Sequence, residues 1–173
     1  MDIKWIRAWY VKRMCHLLMA FVLTAGLVIA AGAFSAQEVH ALQDWLPGNG
    51  SPDDPYRISS YADLKMFSEM VKAGFHISYF ELTNDIHCDD LADWEPIGSS
   101  TAAFNGHFDR NGYVIRGLSN ENREGAAESD YQGLFGYVKE EGIIKNVGLG
   151  GGKIIGNSKV GSLVGYNYGT IEN

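Results

Sequence analysis

Cysteine is nearly absent from this chain. Two occur in 173 residues, Cys15 and Cys88. Only Cys88 lies beyond the N-terminal segment, so the remainder can form no internal disulfide. Small exported domains that are short of core often depend on disulfides; this one is left with packing and backbone hydrogen bonds. Basic residues are also scarce, with 14 Lys and Arg against 21 Asp and Glu and a formal net charge of −7. Four of those cations, Lys4, Arg7, Lys12 and Arg13, fall at the extreme N-terminus. Setting them aside together with Asp2 leaves ten basic and twenty acidic residues, a net charge near −10. Such a surface excludes nucleic acid, whose phosphates demand clustered Lys and Arg, and it disfavours anionic membrane surfaces.

What is present begins with an export segment. The basic start is followed by an uncharged apolar stretch from Leu17 to Phe34 and then by small residues. This is the layout of a signal peptide, read here as residues 1–36, with Ala33-Phe34-Ser35, Val39-His40-Ala41 and Ala31-Gly32-Ala33 as alternative cleavage sites. The stretch is also long enough to remain as an uncleaved membrane anchor. Cys15 precedes the apolar core and is misplaced for lipidation. Residues 37–52 read as a linker, because Pro47-Gly48-Asn49-Gly50-Ser51-Pro52 is a cluster of turn formers without periodicity. Asn49-Gly50-Ser51 matches a glycosylation sequon by chance.

One helix is expected over Ser60–Gly74. Ser60 can cap it, Asp63 takes the capping-box position, and Leu64, Phe67, Met70 and Val71 form one apolar stripe. Lys72 suits the last turn, and Gly74 suits the residue that ends it. From Tyr79 onward the chain consists of short apolar runs divided by Gly, Asn and Asp, which favours strands.

Repetition is the strongest signal. Gly133-Leu134-Phe135-Gly136-Tyr137 matches Ser162-Leu163-Val164-Gly165-Tyr166, and Gly142-Ile143-Ile144-Lys145-Asn146 matches Gly169-Thr170-Ile171-Glu172-Asn173. A weaker copy surrounds Gly106 and Gly112–Leu118. Repeats of this length that cannot bury their apolar side alone must stack on neighbours. The expected fold is therefore all-β, a right-handed parallel β-helix (β-solenoid) over 53–173 with one N-terminal capping α-helix near 60–74. Leu134 should stack on Leu163 and Ile144 on Ile171, with glycines taking positive φ at the corners. The alternative is a β-sandwich or propeller-like fold, in which Asn111-Gly112 closes a hairpin.

The segment Gly161-Ser162-Leu163-Val164-Gly165-Tyr166-Asn167-Tyr168-Gly169-Thr170-Ile171 resembles the GLUG motif, a glycine-rich repeat of bacterial surface and secreted proteins. Asp54-Pro55-Tyr56-Arg57-Ile58-Ser59, Leu82-Thr83-Asn84-Asp85-Ile86, Trp94-Glu95-Pro96-Ile97-Gly98 and Phe104-Asn105-Gly106-His107-Phe108-Asp109 are similar to the leader of such proteins. The resemblance implies an extracellular or cell-surface module, adhesin-like and non-enzymatic, whose partners are extracellular glycans or host proteins and further repeats or domains of its own longer chain. It also implies that the chain is an N-terminal fragment of such a protein. The alternatives are a non-catalytic N-terminal domain of a larger secreted peptidase, or a polysaccharide-cleaving β-helix.

No catalytic, cofactor-binding or metal-binding residue is assigned. Asp85, His87, Cys88, Asp89, Asp90 and Asp93 supply only one half of a zinc pattern and fail the calcium-loop spacing, which reads as a solvated acidic loop. Gly148–Lys153 fails the phosphate-loop pattern at Val147 and Ile154. His40, His76, His87 and His107 lie in no nucleophile motif. Asp89, Asp90, Asp93, Glu95 and Asp109 are the carboxylates that a polysaccharide-cleaving groove would need to bring together. Tyr137 and Tyr166 hold equivalent repeat positions, with Tyr168 and Tyr113 nearby, and form either a structural ladder or a binding row.

Overall fold

The computed structural model describes residues 46–88 and 92–173, all of which belong to one unit, His40–Asn173. The export segment of 1–36 and its boundary with the following stretch lie outside the described residues. Among the described residues, no helix is long and apolar enough to cross a membrane.

The helix, α1, spans Tyr61–Lys72. Strong helix formers such as Leu64, Lys65, Met66, Glu69 and Met70 fill it, and Val71 is its one β-branched residue. Ser60 is extended at φ −147° and accepts a hydrogen bond from the Asp63 amide. Asp63 reaches back one residue further than a capping box does, accepting from both the amide and the hydroxyl of Ser59 at 2.9 Å. Gly74, at φ +106°, ends the helix in the left-handed region. Leu64, Phe67, Met70 and Val71 are buried on a single face, as their spacing requires.

Among the described residues the ten strands are β1 (Tyr56–Ile58), β2 (Tyr79–Leu82), β3 (Ile86–His87), β4 (His107–Asp109), β5 (Ile115–Arg116), β6 (Phe135–Val138), β7 (Ile143–Lys145), β8 (Leu149–Gly150), β9 (Val164–Asn167) and β10 (Thr170–Glu172). Every pairing is parallel. One sheet has the order β1-β2-β4-β7-β10, a second β3-β5-β8, and a third β6-β9. Equivalent residues of successive segments stack in rows: Tyr56, Phe80, Phe108, Ile144 and Ile171 in the first sheet, Ile86, Ile115 and Leu149 in the second, and Phe135 with Val164 in the third. Ile144 pairs with Ile171 as the repeat predicts.

The expectation of an all-β right-handed parallel β-helix is corrected. The strands form three separate small sheets of five, three and two strands, and they do not close into a solenoid. The third sheet begins only at Phe135, with the earlier segments contributing isolated bridges at Ile97 and Phe104. Two-residue strands in the second sheet hold little ladder. Nor does α1 merely cap one end. Phe67 is fully buried and stacks on Phe80 at 3.9 Å between ring centres, with Phe104, Phe108 and Phe135 at 5.5–6.0 Å. The helix therefore supplies the centre of the aromatic core that joins the first and third sheets. The Asn111-Gly112 turn does form, at φ +55° and +86°, but β4 and β5 on either side belong to different sheets, so it closes no hairpin.

Gly112, Gly117, Gly151 and Gly152 take the positive φ expected at corners, but the glycines of the two clearest repeat copies act differently. Gly133, Gly136, Gly161 and Gly165 are absent from the positive-φ positions. They are small because neighbouring backbones run against them. A Cβ on Gly165 would sit 2.5 Å from the Lys159 carbonyl oxygen and 2.9 Å from the Gln132 nitrogen. One on Gly133 would lie 2.8 Å from the Gly161 carbonyl oxygen. Trp94 ties an upstream segment to the same place, donating its indole N–H to the Gly133 carbonyl at 2.9 Å from a fully buried position. Leu46, in the stretch read as a linker, is also fully buried, and the Pro47 carbonyl accepts from the Arg57 amide beside β1 at 2.8 Å.

Candidate functional site: a tyrosine face on the third sheet

The residues singled out as potential chemistry are dispersed. Asp85 accepts from the Val114 amide at 2.9 Å, Cys88 is buried, and Asp93 bonds to Tyr61 and Lys65. Asp89 and Asp90 lie outside the described residues, as does His40. Among the described residues, no three His, Cys, Asp or Glu side chains form a metal-holding group. Asp109 accepts from the Asn111 amide and the Asn146 side chain at the end of β4, the central strand of the first sheet. Glu95 pairs with Lys72 at 2.8 Å. Gly148–Lys153 contains β8, and the Lys153 ammonium pairs with the Glu121 carboxylate. His107 stacks on Tyr79, ring centres 4.1 Å apart and planes within 8°. Partial burial and then the nearby Lys145 lower its pKa.

A charged cleft of about 260 Å³ lies beside α1, lined by Lys65, Ser68, Glu69, Asp93, Glu95 and Arg123. Its carboxylates are paired with lysines, while Arg123 donates to the Gln132 side chain at 2.8 Å. Lys65 meets Asp93 at 2.6 Å, and Lys72 bridges Glu69 and Glu95 at 3.0 and 2.8 Å. Partial burial works to raise the Asp93 carboxyl, but the hydrogen bonds from Lys65 and Tyr61 outweigh it and hold the pKa below its ordinary value. Burial, followed by the Asp93 charge, pushes the Tyr61 phenol far up. The arrangement fastens α1 to the segment around Asp93.

Four tyrosines gather at the third sheet, with Tyr131, Tyr137 and Tyr166 half-buried and Tyr168 exposed. Tyr137 and Tyr166 are register partners on β6 and β9, with ring centres 5.2 Å apart. Tyr131 lies 5.6 Å from Tyr137 and 5.8 Å from Tyr166. Tyr168 meets Tyr166 edge-on at 5.0 Å, and their hydroxyls share a 2.9 Å hydrogen bond. That bond, with the Tyr166 charge behind it, raises the Tyr168 phenol. Lys159 completes the group. Its Nζ donates to the Tyr131 hydroxyl at 2.8 Å and lies 4.2 Å from the centre of the Tyr131 ring. The Tyr131 hydroxyl, more than any other neighbour, raises the Lys159 pKa and keeps the cation charged. Asp130 alongside is held ionised by Ser158 and Asn157.

Repetition made Tyr137 and Tyr166 visible in the sequence as equivalent positions, and Tyr168 as their neighbour. Tyr113 is not among the rings of this cluster. Tyr131 and Lys159 are not marked by the sequence pattern. Both precede the recognisable glycine pattern, and their membership depends on a backbone conformation that their residue types do not announce.

Relatives similar to this chain include two proteins. A protein of Evansella cellulosilytica described as a Gly-rich membrane protein is 36% identical over 134 residues, covering 73% of this chain and 15% of that protein. Halomucin of Haloquadratum walsbyi is 33% identical over 163 residues, covering 86% of this chain and 2% of that protein. The chain thus spans a small part of the relatives it matches. No family model and no solved structure matches it.

Proposed function

We propose that this chain is an exported, non-enzymatic repeat module of a cell surface, adhesin-like, which presents its tyrosine face to extracellular glycans or proteins. The observation that carries the reading is the register stacking of repeats on the third sheet, which brings Tyr137 beside Tyr166 and gathers half-buried rings around the exposed Tyr168. Tyrosine suits such a role because its ring is apolar and its hydroxyl remains hydrated. The likeness to a membrane protein and to a halomucin supports a place at the cell boundary. The acidic balance, the N-terminal export segment and the resemblance to GLUG repeats support the same reading. Labelling of intact cells tests it. An epitope inserted in the exposed loop near Glu128 should bind antibody on unbroken cells of the native host. Binding only after lysis would contradict the proposal.

A further inference from the structure

Tyr131 and Lys159 both sit in the left-handed region, at φ +60° and +54°. Bulky side chains are rarely placed there, because Cβ crowds the backbone. Elsewhere among the described residues, left-handed positions are mostly glycine, with two asparagines and one alanine. The chain is rich in glycine, with 21 in all, and glycine at these two positions would relieve the strain. Neither side chain belongs to the core, since Tyr131 is half-buried and Lys159 exposed. The two positions are equivalent in successive segments, for the Tyr131 amide bonds to the Ser158 carbonyl and the Gln132 amide to the Lys159 carbonyl. Their side chains then meet on the tyrosine face. Strain kept at a surface where packing does not require it marks a place where the side chains have a task.

We infer that Tyr137, Tyr166 and Tyr168, tilted against one another and flanked by the Tyr131–Lys159 pair, form a binding face for neutral, β-linked pyranose chains. This rests on the binding role proposed above and names its ligand class. A pyranose with equatorial substituents presents a flat face of C–H bonds, which carry slight positive charge, and the face of a tyrosine ring is the negative end of its quadrupole. The sugar's hydroxyl edge then meets the phenol hydroxyls and the Lys159 ammonium, which can each exchange hydrogen bonds with it. Tyr168, 56% exposed, extends the ring surface beyond the paired strands. The acidic chain favours a neutral sugar over a polyanion, and it excludes nucleic acid stacked on the same rings. A protein partner would call for a desolvated central pocket with a surrounding rim. Here the neighbouring Ser158, Ser162 and Asn167 are all exposed.

Isothermal titration of the full chain with cellohexaose, laminarihexaose and chitohexaose tests this, with polygalacturonate as the acidic comparison. At least one neutral hexasaccharide should bind, and Tyr137→Ala with Tyr166→Ala should weaken it at least tenfold. The pair Tyr131→Gly and Lys159→Gly should weaken it comparably while leaving the melting temperature unchanged or raised, which a structural role for these side chains would not allow. Tyr168→Ser, at an exposed position, provides a mild variant expected to lose a few-fold. No heat with any neutral hexasaccharide, binding of polygalacturonate alone, or binding indifferent to these variants would overturn the inference. Surface labelling on intact cells without sugar binding would remove this inference and leave the proposed function. Sugar binding by a chain found only inside cells would do the reverse.

Discussion

Single residues carry the closest constraints. Gly165 has backbone on two sides, and Gly165→Ala should destabilise the protein by about 1–3 kcal/mol, the usual cost of overpacking; urea denaturation measures it. Trp94→Phe keeps the ring but strands the Gly133 carbonyl, at about 1–3 kcal/mol. His107 links stability to pH. Its folded pKa is lowered from 6.5 by burial and Lys145, so the folded state resists protonation more than the unfolded chain does. Stability is therefore complete above about pH 6.5 and declines as pH falls through that value toward the folded pKa. His107→Gln should flatten this part of a stability–pH curve measured by thermal melting, whereas a slope retained in the variant would assign it to another group. The glycine pattern was legible in the sequence, but its cause was not. Spacing reveals that a residue recurs, while the backbone that runs against Gly165 comes from a segment known only once the strands are paired.

At the scale of elements, α1 was the easiest to read. Its cap, stripe and terminating glycine are local, so they depend on nothing beyond fifteen residues of sequence. What the helix touches was not legible, because Phe67 meets rings from Phe80 to Phe135. Phe67→Ala should cost about 3–5 kcal/mol as a large cavity opens among those rings. Ser60→Ala should cost about 1 kcal/mol through the lost cap. Chemical denaturation of both variants would separate a core helix, with the larger loss at Phe67, from a helix resting on the end of a stack, where the two losses would be similar. The strand rows were partly legible as well. Equivalent apolar positions pair as the repeat requires, yet repetition says nothing about where each sheet starts. The third sheet starts at Phe135 and the second consists of two-residue strands, and this is why the expected closed solenoid does not form.

At the scale of the whole molecule, the stacked segments form a frame that delivers side chains to one surface. The tyrosine pair follows from the repeat, and the Tyr131 and Lys159 additions follow from left-handed backbone at the preceding turns. The same frame aligns charges on the first sheet, where Arg57, Glu81, Asp109, Lys145 and Glu172 occupy one register row. The Lys145–Glu172 contact at 3.3 Å is surface-exposed and adds little stability, but it marks the register of the last two strands. Register is the central claim, since a shift of one position would separate Tyr137 from Tyr166 along with every other row. Replacing Lys145 and Glu172 by cysteine, in a chain carrying Cys15→Ser, tests it directly. Adjacent register partners lie within the reach of a disulfide, so mild oxidation should give one intramolecular bond between positions 145 and 172, mapped by peptide mass spectrometry. Failure of that bond to form, with Lys145→Cys and Thr170→Cys linking readily instead, would contradict the account.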